Sequence, residues 1–168
     1  MTAPNRTPSL EERLQRVEDH LAIYQLISAY GPAADSCNMA DIARIWHEDG
    51  TYAVGGMGEF KGHAKLTELY NGDFHQGIVA HGSAHASTQP HVVIDGDRAT
   101  ATHYGTLFAH ENGQFNVVRL IASRWDLVRT PGKGWQVMKR TNHLLNGNAA
   151  ARELLAETML GPKPQATT

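Results

Sequence analysis

The chain has 168 residues, a length that suits one domain, since domains commonly run to about 100–150 residues. Apolar residues make up 41% and charged residues 19%, which excludes a disordered chain, and fifteen basic against seventeen acidic side chains leave a formal charge of −2, too weak a field to hold nucleic acid or an anionic membrane. Cys37 is the single cysteine, so a disulfide framework and a cysteine-rich zinc site within one chain are excluded, and no apolar run nears the roughly 20 residues of a membrane span. The opening MTAPNRTPSLEERL lacks the apolar core of a signal peptide, so a cytoplasmic location is expected.

Residues 1–8 carry two prolines and no periodicity, and read as a flexible lead. Ser9 and Glu12 have capping-box spacing. Leu10, Leu14, Val17, Leu21 and Ile27 then recur near the helical period, with Ile23 and Leu26 widening the stripe. The spacing predicts a long helix, kinked near Asp19, that reaches Tyr30 and is disturbed at Gly31-Pro32. Asn38 is the expected N-cap of a second helix, with Asp41 in its first turn and Gly50 as its stop. Thr51–Val54 and Glu59–Lys61 bracket a glycine-rich hairpin turn, and a third helix is expected over His63–Tyr70. The second half changes period. His91–Ile94, Arg98–His110, Phe115–Val128 and Trp135–Leu145 read as strands joined by short turns, an antiparallel meander. A last helix is expected around Asn148–Met159, with a loose tail after it. The whole is an α+β chain read as one domain over 1–168, its core at 10–147. A sheet this long cannot stay flat, so it should curve around the N-terminal helices into a cone with one open mouth.

Tyr30, Asp35, Tyr52, His85, His103 and Arg140 are the residues best placed for chemistry. His81 and His85 share one face if their segment is a strand, and small neighbours leave an imidazole room to meet a ligand. His85 reads equally as a hydrogen-bonded strand histidine. Asp35 reads either as an N-cap for the next turn or as the carboxylate that orients a histidine base. His103 alternates with Ala99, Ala101, Gly105 and Leu107 on the expected concave face, as a proton donor, a polar wall or a satisfied core histidine. Counting by twos puts Met138, Arg140 and Asn142 on one face. Arg140 is a surface residue or, if buried, needs an anionic leaving group or oxyanion as partner. His81 and His85 lack a third ligand for a metal, the glycines at 55, 56 and 58 open no phosphate loop, and Cys37 has no basic neighbour. The convex face, with Val118, Leu120 and Trp125, is expected to meet another subunit.

The segment Ala43-Arg44-Ile45-Trp46-His47-Glu48-Asp49-Gly50-Thr51-Tyr52, the run GEFKG from Gly58 to Gly62, the His-bearing strand, the Asp95-Gly96-Asp97-Arg98-Ala99 turn and the closing strand with Trp135 together resemble the SnoaL-like branch of the nuclear-transport-factor-2-like superfamily. The resemblance covers residues 10–147 and implies a cone-shaped α+β fold. Within the branch the chain is similar to cofactor-free lyases: scytalone dehydratase, bile-acid 7α-dehydratase and hexachlorocyclohexane dehydrochlorinase. Their His–Asp pair falls on His85 and Asp35, their pocket arginine on Arg140, an aromatic wall on Tyr52 and the dehydratases' helix tyrosine on Tyr30. The expectation is a cofactor-independent lyase in which His85, oriented by Asp35, removes a proton while Arg140, Tyr30 or His103 assists the leaving group. Tyr52, Met57, Leu107 and Met138 would shape the cavity for a cyclic or aromatic substrate, with Asn142, His81 and His103 as polar contacts. An isomerase and a non-catalytic binding module are the rival readings, since one fold hosts many functions. The resemblance also implies a homo-oligomer, a trimer before a dimer.

Overall fold

The computed structural model describes residues 6–157. Its elements in chain order are α1 (Leu10–Asp35), α2 (Met39–Ile45), β1 (Trp46–Val54), β2 (Gly58–Lys61), α3 (Gly62–Asn71), α4 (Asp73–His81), β3 (Ser83–Ser87), β4 (His91–Asp95), β5 (Arg98–Glu111), β6 (Gln114–Thr130), β7 (Gly134–Leu144) and α5 (Ala149–Ala156). The expected lead before residue 6 and the tail after residue 157 lie outside the described residues.

Ser9 starts α1 as expected. Its Oγ accepts from the Glu12 amide, and its own amide donates to the Glu12 carboxylate at 2.6 Å, a complete capping box. The helix does not stop at Gly31-Pro32. It runs as one element to Asp35, and Pro32 removes one hydrogen-bonded rung without ending it. Gly31 explains why the chain stays in place there. A Cβ at that position would sit 2.1 Å from the His85 carbonyl oxygen, so only glycine lets α1 lie this close to β3.

The buried face of α1 also differs from the predicted stripe. Asp19, Ile23, Ile27, Tyr30, Ala33 and Ala34 face the sheet. Leu10 is 76% exposed, and Leu14, Val17 and Leu21 are each 55% exposed. The apolar spacing was helical, but the sheet only reaches the second half of the helix. Asp19 marks where it begins. Arg129 donates to its carboxylate at 2.7 Å, and Trp135 Nε1 and Gln15 Nε2 donate at 3.2 Å each. The hydrogen bond from Arg129 outweighs burial and holds the Asp19 carboxyl below its ordinary range. This cluster pins α1 to the ends of β6 and β7. Asp19→Ala is expected to lower stability by about 1–3 kcal/mol. The loss stays below that of a sealed ion pair because Arg129 is a third exposed and water screens it. Midpoints of urea unfolding measure it.

Asn38 caps α2 by accepting from the Asp41 amide, as expected. The helix ends five residues early. The backbone turns extended at Trp46, which is fully buried, and residues 46–54 become a strand. Gly50 sits inside that strand rather than after a helix, in an irregular stretch of its pairing with β7. A fourth helix, α4, fills the segment that had no predicted element.

The seven strands form one curved, unclosed mixed sheet in the order β2-β1-β7-β6-β5-β3, with β4 paired to the other half of the same β5 edge. The pairing of β1 with β7 is parallel, and the rest is antiparallel. Irregularities in β5–β6 and β6–β7 bend the long strands, as bulges do. Ala99, Ala101, His103, Gly105 and Leu107 line the inner face of β5 as predicted, and all are buried. Ile23, Trp46, Leu66, Trp125 and Val137 fill the cone's closed end.

Trp125 belongs to this core and not to the convex face. It lies five residues from Leu120, and an odd separation in a strand reverses the side. Leu120 and Val118 are exposed on the outer face, as expected, while α5 covers Ala122 beside them. No helix among the described residues is long and apolar enough to cross a membrane.

Candidate active site

The open end of the cone holds a cavity lined by Tyr30, Tyr52, His85, Trp125 and Arg140. Helix α1 delivers Tyr30 to it, β3 His85, β1 Tyr52, and β7 Arg140 and Asn142, while Asp35 at the end of α1 stands behind His85.

Asp35 is the last residue of α1, and Asn38 holds the cap of α2, so Asp35 is not an N-cap. Its carboxylate turns to β3 instead. Oδ1 lies 2.7 Å from His85 Nδ1 and accepts from Ser83 Oγ at 2.6 Å, and Oδ2 accepts from the His85 amide at 2.6 Å. Burial works to raise its pKa, but the hydrogen bonds from His85 and Ser83 outweigh it and bring the pKa down to about 2. An ionised carboxylate only accepts, so Nδ1 of His85 carries the proton and Nε2 is left as the basic nitrogen.

A carboxyl whose folded pKa lies below its ordinary 3.8 adds stability above that value and loses it as pH falls toward 2. The stability advantage of the wild type over Asp35→Asn is therefore expected to be larger at pH 5 than at pH 2.5. Equilibrium urea unfolding at the two pH values checks this.

Around the pair stands an aromatic wall. The Tyr30 ring meets His85 edge-on at 6.2 Å, Trp125 at 5.5 Å and Tyr52 at 6.5 Å. Tyr70 donates its hydroxyl hydrogen to Tyr30 at 3.2 Å, and Asn142 Nδ2 donates to the Tyr52 oxygen at 2.7 Å. Burial raises the pKa of all three phenols, which therefore remain neutral. Arg140 is 4% exposed and sits inside this wall. Its guanidinium carbon lies 4.2 Å from the Tyr30 and Trp125 ring centres and 4.9 Å from that of Tyr52. Its Nε donates to Ser123 Oγ, and its Nη1 has no hydrogen-bond partner. Burial disfavours its charge, but a guanidinium is too strong a base to lose its proton, and the faces of the three rings attract the cation. Among the described residues, no acidic side chain lines the cavity.

His103 is buried at the site, yet its nitrogens are committed. Trp125 Nε1 donates to Nε2 at 2.7 Å, and Nδ1 lies 2.8 Å from the Tyr104 carbonyl. An indole only donates, so Nε2 accepts and Nδ1 carries the hydrogen. Burial, then the Arg140 charge, pushes its pKa down to about 4. His103 therefore holds Trp125 in place and has no proton to give, which corrects the expectation of a donor.

Met57 and Leu107 line the cavity as expected, Met57 at the mouth beside Arg119. Met138 does not. It is the extra residue of the bulge where Lys139 pairs with Asp126 and Val137 with Leu127, so it turns outward, 36% exposed, and counting by twos fails across it. His81 also lies elsewhere. Its segment is helix rather than strand, and its ring is exposed at the end of α4, bonded to the Gly77 carbonyl.

Sequence reasoning missed His75, Phe74 and Trp125 as cavity residues. For α4, His75, Ile78 and Val79 carry the i, i+3, i+4 signal, which Gly77 obscured. Among the described residues no cluster of three or more metal-ligating side chains occurs.

Helices laid across a curved, unclosed mixed sheet with a cavity at its open end define the cone of the nuclear-transport-factor-2-like superfamily. The sequence model of the SnoaL-like domain matches residues 15–141, and the chain belongs to that family. It is 40% identical to an NTF2-like protein with a cystatin-like fold from Novosphingobium aromaticivorans, over 91% of this chain and 99% of that one, with a TM-score of 0.85. The hexachlorocyclohexane dehydrochlorinase LinA-type3 of Novosphingobium barchaimii shares the fold at 22% identity, with 79% and 90% of the chains covered and a TM-score of 0.66. So does a dehydratase candidate of the NTF2-like family from Streptomyces avermitilis, at 16% identity, 77% and 97% coverage and a TM-score of 0.63. No curated protein matches the sequence.

Proposed function

We propose that the protein is a cofactor-independent lyase for a small cyclic or aromatic substrate. One observation carries the reading: a histidine fixed by an ionised carboxylate presents its free Nε2 to a cavity walled by aromatic rings. His85 Nε2 takes a proton from a substrate carbon. The electrons of that C–H bond form the new double bond, and the leaving group departs from the adjacent carbon with its bonding pair. Asp35 steadies the imidazolium that forms. Arg140, a buried cation with an unpartnered Nη1, receives the negative charge on the leaving group or on a substrate oxygen. Tyr30, kept neutral, donates to the same charge. Halide leaves directly in this step, a hydroxyl leaves as water on taking a proton from Tyr30 or from the imidazolium, and a carbon fragment leaves when His85 takes a hydroxyl proton in place of the C–H one.

The test is incubation in D2O with a panel of hydroxylated and halogenated cyclic compounds, followed by mass spectrometry. Elimination or deuterium exchange that depends on His85 is the expected result. Neither reaction on any member of the panel would count against the reading. The exposed apolar residues on the outer face, Val118 and Leu120 among them, support self-association, and the family resemblance alone favours a trimer before a dimer.

A further inference from the structure

His75 is a cavity residue with acid–base chemistry that the proposed elimination leaves unused. It projects from α4 and is 8% exposed. Its ring stacks on that of His85, centre to centre at 5.8 Å and 30° between planes, and meets Tyr70 edge-on at 5.4 Å. Neither ring nitrogen has a well-formed hydrogen bond. The Tyr70 carbonyl beside it already accepts from Gln76 Nε2 at 2.7 Å. Burial lowers the His75 pKa, with the neighbouring His85 adding to the effect, so the ring is kept neutral. A neutral imidazole offers one donor and one acceptor on opposite sides of its ring, and a hydroxyl group can meet either of them. An unmet polar group in a buried wall is costly, and a ligand that meets one of the two is favoured over a ligand that meets neither.

We propose that His75 is a specificity-determining residue that exchanges a hydrogen bond with a hydroxyl group on the ring of the substrate. The cavity then reads two features of one ligand: an anionic or charge-accumulating oxygen at Arg140 and a ring hydroxyl at His75, with the C–H to be broken beside His85. This assigns the substrate class as hydroxylated ring compounds and rests on the lyase reading of the site.

The probes are benzoate, which carries the anionic group alone, and its three hydroxy isomers, which add the hydroxyl at each distance. Binding is followed by tryptophan fluorescence and by the ring nitrogen signals of histidine-labelled protein. At least one hydroxybenzoate is expected to bind about tenfold or more tightly than benzoate and to move the His75 signals. In His75→Phe, which keeps a ring against His85 and Tyr70, that preference is expected to vanish while benzoate binding persists. His75→Asn, with a donor and an acceptor, should restore part of it. Absence of a preference in the wild type, including absence of binding, overturns the proposal, as does a preference that survives in His75→Phe. These readouts involve no turnover, so they fail separately from the lyase reading, which fails in the D2O experiment.

A second inference stands on a different surface. Residues 6–18 are exposed throughout, so the first turns of α1 project from the body. Leu10, Leu14, Val17 and Leu21 follow one another at spacings of four, three and four, the seam of a coiled coil, and lie nearly opposite the face that Ile23 and Ile27 bury. Flanking the seam are Glu11 and Glu18 on one side and Arg13 and His20 on the other. A second copy running parallel places Arg13 against the partner's Glu18, whereas an antiparallel copy sets glutamate against glutamate. We infer that α1 pairs in parallel with α1 of a second copy of this chain. In a Cys37→Ser background, Leu14→Cys is expected to cross-link to its own counterpart on oxidation, and Leu14→Glu with Leu21→Glu to lower the mass measured by light scattering. A Leu14→Cys protein that does not cross-link overturns the inference.

Discussion

A His85→Ala protein is expected to fold normally and to lose about 10²–10⁴ of its turnover, the usual contribution of a positioned general base. The fold should tolerate the change because two of the three links between β3 and Asp35, from the His85 backbone amide and from Ser83, remain when the ring is removed. Asp35→Asn is expected to lose activity by a similar factor for a different reason. Its amide nitrogen can donate to Nδ1 and so place the ring hydrogen on Nε2, where a base must have none. Both losses should fall on kcat more than on KM, since neither residue grips the bulk of a ring-shaped substrate. Steady-state kinetics on the substrate found in the D2O panel measure them, with urea unfolding to establish that each variant is folded. Full turnover by a folded His85→Ala protein would remove the proposed mechanism.

The pair was legible because chemistry and small neighbours marked both ends of it. Asp35 and His85 lie fifty positions apart, and nothing local says that they touch. The resemblance to the SnoaL-like family, whose His–Asp pair falls on these two positions, is what points to the contact. Tyr30, Tyr52 and Arg140 were legible in the same way. What failed did so where tertiary geometry overrides a local rule. Alternation predicts the faces of β5 throughout but breaks in β7 at the bulge, so Arg140 and Asn142 point inward while Met138 does not. Helical period located α1 but not its buried face, since Leu10 to Leu21 satisfy the same periodicity as Ile23 and Ile27. Of the three readings of His103, its hydrogen bonds favour the satisfied core histidine over the proton donor. Only the Trp125 indole, twenty-two positions on and opposite it in space, shows that its acceptor is already taken.

Gly31→Ala is expected to be among the most damaging single changes outside the cavity's own polar groups. In an ordinary helix interior the substitution gains about 0.5–1 kcal/mol. Here the new methyl would lie 2.1 Å from the His85 carbonyl oxygen and 3.3 Å from its carbon, both backbone atoms that cannot rotate away. Helix and strand must separate, and the three contacts that Asp35 makes with Ser83 and His85 at 2.6–2.7 Å must lengthen with them. The expected cost is about 3 kcal/mol or more in stability, at the upper end of overpacking effects, together with a fall in kcat as the imidazole loses its orienting carboxylate. Gly77→Ala supplies the control. It lies inside α4 with nothing within 4 Å of a built Cβ, so the same substitution should be neutral or stabilising there. Urea unfolding of the two variants side by side measures the contrast. A Gly31→Ala protein as stable as the Gly77→Ala protein would mean that α1 and β3 do not lie this close, and that Asp35 reaches His85 by some other path of the chain.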